Sequence, residues 1–361
     1  MRRVVLLYGG RSSEHEVSCL SARAVLGAID RSRYEVVPIG ITRAGRWTRT
    51  DGNIAAPTDT TLPSVADTGP TAALVGTRQG PMLFELDDAG ARVASHGVID
   101  VVFPVLHGPW GEDGTVQGML ATVGVPYVGA DVTASSIGID KAAMKATFAA
   151  AGLPQADYLA VHRQRWHNAP DDVRADVAAR LPAPWFVKPV RQGSSIGISR
   201  VDEVDGLNAA MAQAFEYDDT AVIEVGITDA RELEVGVLGH DTLDVTNPGE
   251  IVPAGEFYDF EAKYRADSEL VIPAHLDADV IARVRQLAVA AFRAIGCRGL
   301  ARVDFFVSES RGVLVNEINT IPGFTERSMF PRLWDEAGLP YPRLVGRLLD
   351  DALAYAGNDD G

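Results

Sequence analysis

Hydrophobic positions in this chain fall into short strand-length runs separated by stretches of helical period. VVLLYGG (4–10) reads as a buried strand ending in a glycine turn, SCLSARAVLGAI (18–29) as a helix and YEVVPIGI (34–41) as a second strand, which together make a βαβ unit. From residue 42 to about 97 the pattern weakens, with only a hairpin suggested around GPMLFELDDAGARV (80–93). GVIDVVFPVLHG (97–108) then predicts a buried strand, GTVQGMLATVG (114–124) a helix closed by Gly124, and VPYVGA (125–130) another strand. Residues 1–130 therefore predict an open, mostly parallel α/β domain.

A boundary is expected at TASSIG (133–138), whose small polar residues precede a helix over IDKAAMKATFAAAG (139–152). Residues 131–226 read as a small α+β domain with strands at ADYLAV, PWFVKPV and TAVIEVGI. Residues 227–361 form a third block, with strands RELEVGVLG and TLDVTNPGEIV and a helix over 278–296 whose apolar stripe runs from Val280 to Ile295. The irregular AGEFYDFEAKYRADSE (254–269) has no stable period, and its segment 255–268 is expected to be a mobile lid.

The densest chemistry lies in LARVDFFV (300–307) and GVLVNEINT (312–320), joined by a short polar linker. Residues two apart on a strand share a face, so Arg302 accompanies Asp304, and Glu317 accompanies Asn319. An antiparallel hairpin brings all four together. Two carboxylates and an amide are oxygen donors suited to Mg²⁺, and a guanidinium beside them suggests phosphate. In FVKPVRQGSSIG, Lys188 ends an apolar strand before a glycine- and serine-rich loop whose amides can wrap phosphate oxygens. It is not a Walker A sequence, because the lysine precedes the loop. Glu224 and Glu232 flank a turn that could offer groups to adenine and ribose, and Glu14 follows the first strand, where it could hold a substrate ammonium.

The 361 residues are enough for two or three domains, and 47% hydrophobic with 23% charged residues is the composition of a soluble globular protein. A formal charge of −16 argues against a nucleic-acid partner, so polyphosphate must be met by local cations. With no signal-like or membrane-length apolar run, a cytoplasmic location is expected. Cys19 and Cys297 lack metal-ligand spacing and are expected to be free.

GGRSSEHEVS, HGPWGEDG, VKPVRQGSSIG, FYDFEAKY, RVDFF and NEINTIPGFTERSMFP occur in this order along nearly the whole chain. Together they closely resemble the motifs of the D-alanine:D-alanine ligase family of the ATP-grasp superfamily. The resemblance implies three domains, the last two grasping ATP. It implies Lys141, Lys188 and Lys263 on the phosphates with the Ser194–Ser195 loop, Glu224 and Glu232 at the nucleoside, and Asp304, Glu317 and Asn319 on two Mg²⁺ ions, with Mn²⁺ able to substitute. Glu14 would take the ammonium of the first of two D-alanine molecules, in a hydrogen-bonded set with Ser194 and Tyr264. Ser328 would hold the second carboxylate, and Arg302 with the Gly323 backbone would stabilise the oxyanion. The implied assembly is a homodimer. The nearest rival is another ATP-grasp carboxylate-amine ligase, above all one that makes a D-alanine:D-lactate ester, against which Tyr264 speaks by the same resemblance. A Rossmann-type oxidoreductase would need GxGxxG after the first strand, which is missing, and a non-catalytic binding protein would need no Mg²⁺ cluster.

Overall fold

A computed structural model of the chain describes residues 1–58, 61–87, 89–252 and 269–356, with strands in three sheets. The first sheet contains β1 (Arg2–Gly9), β2 (Tyr34–Ile41), β3 (Trp47–Arg49), β4 (Thr71–Thr77), β5 (Gly80–Leu86), β6 (Arg92–Val98) and β7 (Val101–Pro104), in the order β6-β5-β4-β3-β2-β1-β7. β1 lies parallel to both β2 and β7, and α1 (His15–Ala28) links β1 to β2 as the βαβ reading requires. Val4 to Tyr8 are all buried, as an unbroken apolar run demands when both faces are covered.

Two expectations need correction here. The parallel character stops at β2, because β3 to β6 continue the sheet antiparallel and fill the stretch where only the β5–β6 hairpin was legible. VPYVGA makes only an isolated parallel bridge between Val102 and Tyr127 and is not a full strand. Between these elements, α2 (Thr115–Val123) ends on left-handed Gly124, as its sequence suggests.

TASSIG is itself helical, lying in α3 (Val132–Ile139), and α4 (Lys141–Ala150) follows almost at once. Asp131 caps α3 by accepting from Ala134 N–H, and Asp140 caps α4 by accepting from Ala142 and Ala143 N–H. These aspartates satisfy the helix ends that the serines and threonine were expected to mark.

The second sheet comprises β8 (Tyr158–His162), β9 (Trp185–Pro189), β10 (Ser199–Val201) and β11 (Thr220–Val225), ordered β10-β9-β11-β8 with antiparallel pairing throughout. Helices α5 (Arg163–Asn168), α6 (Pro170–Arg180) and α7 (Leu207–Ala214) accompany it. The third contains β12 (Arg231–Gly239), β13 (Leu243–Val245), β14 (Gly249–Val252), β15 (Glu269–Val271), β16 (Gly299–Ser308) and β17 (Gly312–Asn319). Its path is β15-β14-β12-β16-β17, with β13 also on β12.

One face of this third sheet is sealed by α8 (Ala278–Ala294), whose Val284, Leu287, Ala288 and Ala291 pack with Leu233, Val235, Val303 and Ile318. The predicted stripe is the buried one, and the opposite face is left for polar groups. After β17 come α9 (Met329–Glu336) and α10 (Tyr341–Ala356). Leu344, Val345, Leu348 and Leu349 of α10 return to the core of the first sheet beside Val4, Leu6 and Tyr34. Cys19 and Cys297 are free and buried, and burial pushes the Cys19 thiol up to about 12. No helix among the described residues is long and apolar enough to cross a membrane. The expected lid, with Lys263 and Tyr264, lies outside the described residues.

Candidate active site

The polar face of the third sheet is built by register. Glu234, Asp304 and Glu317 stand opposite one another across β12, β16 and β17, and Gly236, Arg302 and Asn319 form the neighbouring row. Glu232 lies two residues before Glu234 on the same face. A bulge between Asp304 and Phe305 leaves Asn316 as an extra residue in β17. It lets Val315 and Ile318, three apart, both enter the core while Glu317 and Asn319 keep to the polar side. The hairpin was legible in the sequence, but the bulge was not.

Arg302 donates to Asp304 through two parallel bonds of 2.7 Å and also pairs with Glu234 at 3.0 Å. Burial works against its charge, but Asp304 and Glu234 more than offset this and raise its pKa further. The planar fork is therefore fixed before any substrate arrives. Asn319 Nδ2 donates to Asp304 Oδ2 at 2.9 Å, leaving its amide oxygen as the metal-type donor. Among the described residues no three His, Cys, Asp or Glu side chains converge as a metal cluster. The two carboxylates and one amide oxygen nevertheless fit a hard cation that draws its other ligands from water and nucleotide phosphates.

The second sheet supplies cations. Lys188 on β9 and Glu224 on β11 share a face through the β9–β11 register, and Lys188 Nζ reaches Glu224 Oε2 at 2.5 Å. Lys145, one turn after Lys141 on α4, binds the other oxygen of Glu224. Burial would raise the Glu224 carboxyl, but the two lysines outweigh it and hold it at about 2. For Lys188, burial opposes the charge, and Glu224, with Glu317 and Glu232 beyond, carries the pKa above an ordinary lysine's. Lys141 Nζ donates to the Gln192 carbonyl at 2.7 Å and so meets the loop after β9. That loop passes through Ser194 and Ser195 with φ of 49° and 57°, a left-handed turn unusual for residues other than glycine. The turn delivers Ser194 Oγ to Glu14 Oε1 at 2.5 Å, joining the middle domain to the first.

Glu14 stands just before α1 and is buried. Near it are two residues of HGPWGEDG. Glu112 accepts from Gly108 N–H at 2.6 Å and Ile321 N–H at 3.1 Å, and burial together with neighbouring Glu14 pushes its carboxyl up to about 8. His107 is held below the ordinary imidazole value by burial. Glu14, Lys141, Ser194, Arg302, Glu317, Asn319, Gly323 and Ser328 all line one cleft of about 180 Å³. Its floor at Ser328 is set by α9, which presses onto the sheet because Gly236 and Gly249 have no side chains. A Cβ on Gly236 would lie 2.7 Å from Trp334 Nε1, and one on Gly249 would lie 2.7 Å from Met329 Sδ.

Family models described as D-ala D-ala ligase N-terminus and D-ala D-ala ligase C-terminus match residues 3–130 and 147–350. The chain belongs to the D-ala D-ala ligase family. Among its relatives, a D-alanine–D-alanine ligase of Pseudarthrobacter chlorophenolicus is 47% identical across 97% of this chain and 94% of its own. One from Geobacillus thermodenitrificans is 45% identical, covering 97% and 95%. Of solved structures, the D-alanine-D-alanine ligase of Coxiella burnetii superposes with a TM-score of 0.81 at 31% identity, covering 100% of this chain and 97% of that one. The VanG D-Ala:D-Ser ligase of Enterococcus faecalis gives 0.81 at 33%, covering 97% and 99%. The three-domain ATP-grasp architecture is thus that of the D-ala D-ala ligases.

Within this D-ala D-ala ligase fold, most residues singled out in the sequence come together. Asp304 sits beneath Arg302, Glu232 extends the polar row, and Glu224 is engaged by two lysines at the side of the site. Ser195 shapes the loop beside Ser194. Sequence reading missed Lys145, Glu234 and Glu112. Lys145 was signalled by its i+4 spacing from Lys141, and Glu234 by its two-residue spacing from Glu232. Nothing in the sequence tied Glu112 to Ile321, 209 positions away.

Proposed function

We propose that the protein joins two D-alanine molecules into D-alanyl-D-alanine at the expense of ATP, with ADP and phosphate released, to supply peptidoglycan synthesis. The observation that carries this reading is one cleft in which a buried carboxylate, Glu14, faces the Arg302–Gly323–Ser328 side of an acidic sheet. An ammonium suits the first, a carboxylate and a developing oxyanion the second.

Carboxylate and amine do not condense unaided in water, because hydroxide leaves poorly. In the proposed route an oxygen of the first D-alanine carboxylate attacks the γ-phosphorus of ATP and ADP departs. The amine of the second D-alanine, in its neutral form, then attacks the acyl carbon, phosphate leaves, and the nitrogen sheds one proton. Glu14, fixed by Ser194, orients the first ammonium. Lys141 and Lys188 meet phosphate charge, so Lys188 must exchange part of its pairing with Glu224 for the nucleotide. Glu232 is assigned to ribose and Glu224 to the adenine end, where its two lysines limit it to an indirect part. Asp304, Glu317 and Asn319 would hold Mg²⁺, two ions in this proposal, and the metal would supply neutralisation of the phosphoryl oxygens. Arg302 and Gly323 N–H stabilise the tetrahedral oxyanion, an interaction whose loss typically costs about 2.7 to 4 kcal/mol.

Lys263 and Tyr264 are assigned to phosphate and to the Glu14–Ser194 set on family grounds, with 255–268 as the lid. The division at residues 130 and 226, a homodimer and a cytoplasmic location complete the proposal. The test is D-alanine-dependent phosphate release from ATP, with products separated by mass and D-lactate offered in competition. Predominant ester, or ATP turnover indifferent to D-alanine, would defeat the reading.

A further inference from the structure

Ile321 lies midway between Asn319 and Gly323 as the chain leaves β17, and both of its backbone polar groups are held from across the cleft. Its N–H donates to Glu112 Oε1 at 3.1 Å, and its carbonyl accepts from His107 Nδ1 at 3.0 Å. A carbonyl only accepts, so the His107 proton sits on Nδ1, and Nε2 is the acceptor for Ser21 Oγ at 2.9 Å. The network runs on toward the ammonium site. Ser12 Oγ donates to the His107 carbonyl at 2.6 Å and accepts from Glu14 N–H at 3.2 Å. One continuous set of hydrogen bonds therefore links the backbone of Glu14 to the segment that carries Asn319 and Gly323.

We propose that Glu112 and His107 are positioning residues that clamp Ile321, setting the distance between the Glu14 carboxylate and the Gly323 N–H. A substrate held by its ammonium on Glu14 then presents its acyl carbon at the oxyanion donors. This rests on the ligase reading above. Asn319 is held separately by its own bond to Asp304, so the clamp acts chiefly through Gly323 on the amino-acid half of the reaction.

The two amide replacements of histidine separate its nitrogens. In His107→Asn the side-chain amide nitrogen takes the place of Nδ1 and keeps the donor to Ile321, whereas in His107→Gln it takes the place of Nε2 and the donor is lost. The asparagine variant should keep kcat/KM for D-alanine within about threefold of wild type, and the glutamine variant should lose roughly tenfold or more, with KM for ATP within about twofold in both. Glu112→Asp keeps the carboxyl but withdraws it by one methylene, and should show the same D-alanine-specific loss even if His107→Gln does not fold. Equal losses in the asparagine and glutamine variants, or a parallel rise in KM for ATP, would overturn the proposal. Hydrogen exchange of a peptide spanning 318–324 provides a readout free of substrate, with protection lost in Glu112→Asp and kept in His107→Asn. Unchanged protection in Glu112→Asp also overturns the clamp, whereas wild type that ignores D-alanine while showing that protection pattern would sink only the ligase reading.

Discussion

Glu224 shows how much a single carboxylate can organise. It is buried and faces Lys145 and Lys188 at once, so removing its charge leaves two ammonium groups without their counterion. Breaking buried pairs of this kind typically costs about 3 to 5 kcal/mol. Glu224→Gln should therefore lower urea stability by about 3 kcal/mol at pH 7. Because the folded carboxyl sits at about 2, below its ordinary value near 4.5, its contribution is complete above that ordinary value and disappears as pH falls toward 2. Denaturation of wild type and variant across this range should converge at acid pH. A constant gap would remove the charge argument. Glu317, by contrast, is proposed as a metal ligand, and Glu317→Gln should nearly abolish phosphate release while leaving the melting temperature within a few degrees of wild type. Normal turnover at saturating Mg²⁺ would reject its role.

Two glycines and one bulge decide how the elements of the third sheet meet. Helix α9 approaches β12 only because Gly236 offers no Cβ to Trp334, and the start of α9 carries Ser328 into the cleft. Gly236→Ala should destabilise the protein by about 1 to 3 kcal/mol through overpacking, and it should raise KM for the second D-alanine more than KM for ATP. Steady-state kinetics beside thermal denaturation decide between this and a purely local effect. Deleting Asn316 would leave Val315 and Ile318 two apart on a regular strand, so both would still share the core face, with Glu317 and Asn319 on the other. That variant should still accumulate as folded protein, as judged by circular dichroism and gel filtration, and failure to fold would show that the bulge does more than set the faces of β17.

At the scale of the whole molecule, a formal charge of −16 makes polyphosphate an unfavourable guest except where cations gather. Lys141 and Lys188 face the acidic row of the third sheet, so nucleotide binding should depend on divalent metal. Mg²⁺ with ATP at a hundredfold excess over Kd should add about 2.7 kcal/mol to stability. Chelation should abolish both this shift and turnover, as followed by differential scanning fluorimetry with phosphate release. Stabilisation by ATP that survives complete chelation would remove the metal from the binding argument.

The hairpin of β16 and β17, the α8 stripe and the order of the motifs follow from periods of two and 3.6, which are local properties of a chain. Arg302, Asp304, Glu317 and Asn319 could be grouped because their spacing sets their faces before any tertiary contact forms. Apart from the β5–β6 hairpin, the antiparallel run from β3 to β6 was hidden, because its strands are half exposed and alternate weakly. The helix over TASSIG was hidden as well, since small residues serve equally in a linker and in a helix packed against β17. Only the tertiary structure could decide that Glu112 and His107 grip Ile321, that Lys145 shares Glu224 with Lys188, and that Ser194 reaches Glu14 across 180 positions. Spacing along a chain carries no information about such pairs. They are selected by which loops the packed sheets bring to one cleft, where a buried polar group must find its partner.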